Sequence, residues 1–139
     1  MPASASIAPD QTETTLLPGG AVTGVPKVLL MLEGVALMGV CTAAFASLGG
    51  SWWVFAALLF VPDVSMLGYL VNPRVGATAY NAGHSTLGPV ALGTVGLLVS
   101  APLAVQVACI WAAHIGMDRM LGFGLKYGTA FKHTHLMRA

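Results

Sequence analysis

Residues 75–117 read VGATAYNAGHSTLGPVALGTVGLLVSAPLAVQVACIWAAHIGM, 43 consecutive positions without an Asp, Glu, Lys or Arg. A membrane-crossing helix needs about 20 mostly apolar residues to traverse a hydrocarbon core of roughly 30 Å. This one stretch therefore has room for two crossings, with Ser100-Ala101-Pro102 supplying the turn between them. A second uncharged run, the 29 residues between Glu33 and Asp63, completes two more on either side of Gly49-Gly50-Ser51. Of all 139 residues 56% are hydrophobic and only 8% charged, with a mean hydropathy of +0.79. A soluble domain carries about 25% charged residues. The runs are rich in Ala, Leu and Gly and lack two-residue alternation, whereas a membrane barrel uses alternating segments of about 10 residues. The expected fold class is all-α, a four-helix transmembrane bundle with spans at 28–48, 52–71, 75–99 and 103–121 within a domain covering 27–122.

The flanks and turns set the expected orientation. Residues 1–26 hold Pro2, Pro9, Pro18 and Pro26 among Ala, Ser and Thr. Such a segment buries too little apolar surface to offset its ordering entropy, so a disordered arm is expected. It lacks the basic start of a signal peptide. Residues 123–139 are expected to form a polar tail. Asn72-Pro73-Arg74 marks another turn, because Pro disfavours helix in the residue before it. Lys27, Arg74, Arg119, Lys126, Lys132 and Arg138 then all fall on one face of a four-span protein. The positive face is the cytoplasmic one, so the N and C termini are both expected on the cytoplasmic side of the cell's inner membrane, with the lipid bilayer as partner. Trp52 and Trp53 open the second span at the opposite interface, where indoles are favoured. A net charge of +1 with no basic patch gives no support for nucleic acid as a partner. Cys41 and Cys109 lie in apolar runs and read as small core residues.

Ionisable residues inside such spans are costly and face the bundle interior or a wet cavity. At 1.5 Å per residue, Glu33 lies roughly 9 Å from the cytoplasmic boundary, His84 and Asp63 about 15 Å in, and His114 about 6 Å deeper than Asp118. All five belong to the cytoplasmic half. His114 and Asp118 share a helix face, as do Tyr80, Asn81 and His84. Two readings fit: a structural polar network that fixes helix register, or a divalent metal site in which Asp63, His84, His114 and Asp118 are ligands. Imidazole with carboxylate suits zinc, manganese or iron. Glu33 is either protonated or paired with a cation such as Arg74. Pro62 is expected to kink the second span beside Asp63. His133-Thr134-His135 reads as part of a solvated tail or as a metal-binding pair.

Three segments carry a resemblance to a known family: Leu-Glu-Gly at 32–34, the run from Trp52 to His84, and the run from His114 to Leu136. Within them, PDVSMLGY at 62–69 and HIGMDRMLGFGLK at 114–126 are the specific strings. From Lys27 to Arg138 the chain resembles the small bacterial membrane proteins grouped as domain of unknown function 4260. The resemblance implies a multi-helix membrane protein and no activity. A fainter likeness, in the order Pro-Asp, Asn-Pro-Arg, His-Ser and His-x-x-x-Asp, is to inner-membrane metal-dependent hydrolases. It implies roles for Asp63, His84, Ser85, His114 and Asp118; the chain carries Tyr80 and Asn81 where those proteins have a His and an Arg.

The leading functional expectation is a metal-dependent hydrolase of a lipid or lipid-linked substrate. Glu33 and Asn81 would serve as catalytic groups that position water or substrate. Arg74 and Arg119 would bind a phosphate or lipid headgroup, since Arg recognises phosphate bidentately. The alternatives are a carrier or channel component, which would need to form a homo-oligomer, and an accessory protein with a structural polar network.

Overall fold

A computed structural model describes residues 22–128, Thr134 and Leu136. The expected disordered arm, apart from its last few residues, and the His133/His135 pair lie outside the described residues. The protein is all-α: α1 (Gly24–Ser47), α2 (Trp52–Leu59), a 3₁₀ helix (Val61–Leu70), α3 (Pro73–His84), α4 (Leu87–Leu98) and α5 (Pro102–Met120). The helix expected to start at Val28 begins at Gly24, so Pro26 sits in its first turn, where the missing N–H costs nothing. By length and composition two helical stretches can cross a membrane, Gly24–Ser47 and Trp52–Leu70.

The second and third expected spans are not continuous α-helices. The second is α-helical only to Leu59 and then winds as 3₁₀ through Val61–Leu70, with Pro62 in the first 3₁₀ turn. A 3₁₀ run this long is uncommon. The third breaks at Ser85-Thr86, where Ser85 turns extended (φ −80°, ψ 135°). Pro89 explains that break: in an unbroken helix its ring would collide with the carbonyl four residues earlier, that of Ser85. In α4 it occupies the first turn instead. The turn before α3 forms as expected. Asn72 is extended, its side chain accepts a hydrogen bond from the Val75 N–H at 2.9 Å, and Pro73 takes the first helical position.

α5 is the central element, packed against α1, α2 and α4, while the 3₁₀ helix lies on α3. The α1–α5 crossing is a backbone-to-backbone approach. A Cβ on Gly34 would stand 2.6 Å from the Met120 nitrogen, and one on Gly116 would stand 2.6 Å from that of Met38. Only glycine fits at either position, the small-residue packing that membrane helices favour. At the α1–α2 hairpin the rings of Phe45, Trp52 and Phe55 pack with centroids 5.0–5.5 Å apart. Cys41 and Cys109 are free thiols packed against this core. The surface is strongly apolar: Trp53 is 87% and Leu70 84% exposed, while His84 and His114 are buried.

After α5 the chain reverses. Gly122 takes φ +85°, the Gly122 N–H donates to the Arg119 carbonyl at 3.0 Å, and the Phe123 N–H donates to the Asp118 carbonyl at 2.8 Å. This is a Schellman closure, which wants glycine at its left-handed position. It sends the following residues back against α3, where Lys126 bridges to Thr134. Thr134 and Leu136 are buried.

Candidate metal centre

Three different segments carry the four costly side chains to one point. Asp63 rides the 3₁₀ helix, His84 ends α3, and His114 and Asp118 sit one turn apart near the end of α5. One ligand atom from each lies within 4.8 Å of all the others. The His84 Nε2 is 3.0 Å from the His114 Nε2, 3.3 Å from the Asp63 Oδ1 and 3.4 Å from the Asp118 Oδ2. The His114 Nε2 is 3.6 Å from the Asp63 Oδ1 and 4.0 Å from the Asp118 Oδ2. Ligands about 2.0–2.1 Å from a tetrahedral ion stand roughly 3.3 Å from one another, and these separations bracket that value.

Proton accounting favours a cation. The His84 Nδ1 lies 2.9 Å from the Tyr80 carbonyl oxygen, which can only accept, so Nδ1 carries a proton, and in the neutral ring Nε2 presents a lone pair. The Asp118 Oδ2 accepts the Tyr80 hydroxyl proton at 2.9 Å. The His114 Nδ1 is buried without a hydrogen-bond partner. With both carboxyl groups ionised and His84 neutral, two carboxylates and one imidazole lone pair face a common point, where His114 can bring at most one proton. Converging acceptors repel unless a positive charge lies among them. A divalent ion would satisfy all of them, and the residues present fit one.

The surroundings position these ligands as metal sites usually do, through a hydrogen bond on the far side of the imidazole and a second on the carboxylate. Tyr80 supplies both through its backbone and its hydroxyl, and its ring stacks on His84 at 3.7 Å between centroids. Asp63 is the more open ligand, its side chain 32% exposed against 14% for Asp118. Arg119 borders a small recess with Tyr80, His84, Asp118 and Phe123. The Lys126 ammonium lies over the Tyr80 ring, 4.5 Å from its centroid, and 5.5 Å from that of Tyr69. Burial pushes the Lys126 pKa down, against the opposing pull of Asp118 and Asp63.

The other sequence candidates fall elsewhere. Glu33 is exposed on α1 and is not among the clustered ligands. The Asn81 amide is engaged with the tail, its Nδ2 donating to the Lys126 carbonyl at 2.8 Å and its Oδ1 accepting from the Lys126 N–H at 2.7 Å. Arg74 is exposed, beside Asn72, Pro73 and Gly128. Ser85 accepts from the Leu87 N–H at 3.3 Å where α4 begins. The sequence places Tyr80 on the face of His84, four residues earlier, but assigns it no role at the site. Lys126 reads there only as one of the basic residues, because an irregular tail has no periodicity to place it.

No curated protein and no solved structure matches the chain. A family model described as Domain of unknown function (DUF4260) matches residues 27–139. That match covers every described helix except the first three residues of α1, and all four clustered ligands. The chain belongs to this family of proteins of unknown function.

Proposed function

We propose that the protein is a multi-pass membrane protein that works as a divalent-metal-dependent hydrolase of a lipid or lipid-linked substrate, in the cytoplasmic half of the inner membrane. The observation that carries this reading is the meeting of four ligand atoms within 4.8 Å, from three segments far apart in the chain. The membrane setting is supported by the two long apolar stretches and by large apolar side chains left exposed along α1, α2, the 3₁₀ helix and α4. Four passes follow if α3 and α4 together make the third and α5 the fourth. Irregular backbone at such depth is tolerated where it is buried in protein or lines a cavity, and the breaks at Val61 and Ser85-Thr86 adjoin the ligands Asp63 and His84. Among the described residues Lys27, Arg74, Arg119 and Lys126 would then share the cytoplasmic face.

Asp63, His84, His114 and Asp118 would hold zinc, manganese or iron. Bound there, such an ion supplies a water made acidic near neutral pH and polarises an ester or phosphoryl oxygen. Tyr80 holds Asp118 and fixes the His84 tautomer, so the ligand lone pairs already face the site. Arg119 and Lys126 place positive charge beside it for an anionic head. Elemental analysis of detergent-purified protein tests the reading. About one transition-metal ion per chain is expected, lost when His84 and His114 are both replaced by Ala. A metal-free wild type that takes up no zinc, manganese or iron on incubation would overturn it.

A further inference from the structure

The segments that carry the ligands also wall an apolar cavity of about 220 Å³, lined by Leu58, Val61, Pro62, Gly83, Val107, Ile110 and Trp111. Its place relative to the ligands is regular. Val61 and Pro62 immediately precede Asp63, and Gly83 immediately precedes His84. Ile110 and Val107 lie four and seven residues before His114, so roughly 6 and 10 Å further along α5. Each segment that contributes a ligand thus also contributes cavity wall. The Trp111 indole N–H donates to the Gly83 carbonyl at 2.6 Å, tying the α5 wall to the end of α3. On α5 the wall lies on the side of the ligands away from the positively charged end. Apolar cavities of about 150 Å³ stay dry and accept hydrocarbon.

We infer that this cavity is an acyl-chain site, and that the substrate is an amphiphile with its chain in the cavity and its head at Asp63, His84, His114 and Asp118. This rests on the metal-hydrolase reading and narrows it to single chains lying in the direction a membrane lipid lies, head toward the charged face. The continuity of the cavity with the ligand-bearing segments selects this occupant over a partner helix, because a slot of this volume takes a chain and not a packed helix face.

The test titrates two metal-binding probes, dodecyl phosphonate and ethyl phosphonate, into zinc-loaded full-length protein in neutral detergent micelles, with zinc content measured in parallel. Wild type is expected to bind the dodecyl probe at least about tenfold more tightly, since each buried methylene adds affinity. Val107→Trp and Leu58→Trp fill the cavity from two different helices, α5 and α2. Both are expected to cut that preference about tenfold while ethyl phosphonate affinity and zinc content stay unchanged. An unchanged preference in zinc-retaining variants overturns the inference, because it assigns the chain-length effect to the micelle or the bulk lipid. A wild type that binds no zinc overturns the metal reading instead. If both variants lose zinc, Trp111 fluorescence is read in a Trp52→Phe/Trp53→Phe background. Zinc-dependent quenching by an 11,12-dibrominated dodecyl phosphonate, reversed by excess unbrominated probe, supports the chain site; no quenching overturns it.

Discussion

The two ends of α5 lie in different chemistry, although one helix forms both. Toward Pro102 the neighbours are apolar, with Ile110 and Ala113 in one core with Phe45 and Phe55 and with Cys109 packed against it. Toward Met120 the neighbours are the polar groups of His84, Asp63 and Tyr80, within 2.9–3.3 Å of one another or of the α5 side chains. The first end is held by shape, through rings in contact and a polar link from the Gln106 amide to the Leu48 carbonyl at 3.1 Å. The second is held by a set of acceptors that lacks enough protons to satisfy itself. On the metal reading proposed above, the difference separates what keeps the bundle folded from what it would be used for: an apolar core needs only volume and complementarity, whereas converging ligand atoms would be satisfied by a cation.

Substitutions at one end should therefore leave the readout of the other untouched. Phe45→Ala, in the ring cluster, is expected to destabilise the bundle by about 3–5 kcal/mol in denaturant titrations from mixed micelles. The folded fraction should keep its full metal content. His84→Ala is expected to weaken metal binding by about 3–4 kcal/mol, a quarter of the total of a four-ligand zinc site and at least a hundredfold in affinity. Chelator competition measures this, and melting of the metal-free protein should move far less than in Phe45→Ala. If Phe45→Ala sheds metal in step with its loss of stability, the two ends are one cooperative unit and the distinction fails.

Smaller changes sharpen it. Tyr80→Phe removes the hydroxyl that donates to Asp118 while keeping the ring stacked on His84, and is expected to lower metal affinity about tenfold. Asn81→Ala removes both hydrogen bonds to the Lys126 backbone, about 1–2 kcal/mol locally. Faster hydrogen exchange at the Lys126 amide should report it, with metal affinity within about twofold of wild type. A larger loss of metal in Asn81→Ala would make the returning tail part of the site.

How much of this could be read from the sequence follows from what each signal reports. Hydropathy reports composition, so the all-α class and the approximate helical stretches were legible. It does not report hydrogen-bond register, and both departures are register changes. Pro62 was expected to kink a helix; it sits in the first turn of ten residues of 3₁₀ winding. Pro89 breaks the long third helix four residues upstream, at a Ser-Thr pair that gives no hydropathy signal. The four clustered side chains were legible because charge and imidazole are expensive in apolar segments and leave few places to go. Glu33 obeyed the same rule and was misleading: α1 meets α5 through Gly34, which leaves Glu33, one residue earlier, turned outward. The tail's return onto α3 was illegible apart from Gly122, whose left-handed turn aims it.

The 3₁₀ winding has a geometric dividend. At about 2.0 Å of rise per residue against 1.5 Å for an α-helix, ten residues reach roughly 5 Å further. The 19 residues from Trp52 to Leu70 then extend about 33 Å, against about 28 Å for an unbroken α-helix of the same length. If this stretch crosses a bilayer as proposed, the longer form spans a hydrocarbon core of roughly 30 Å and the shorter one falls slightly under it. The winding that delivers Asp63 would then also fit the segment's length to its surroundings.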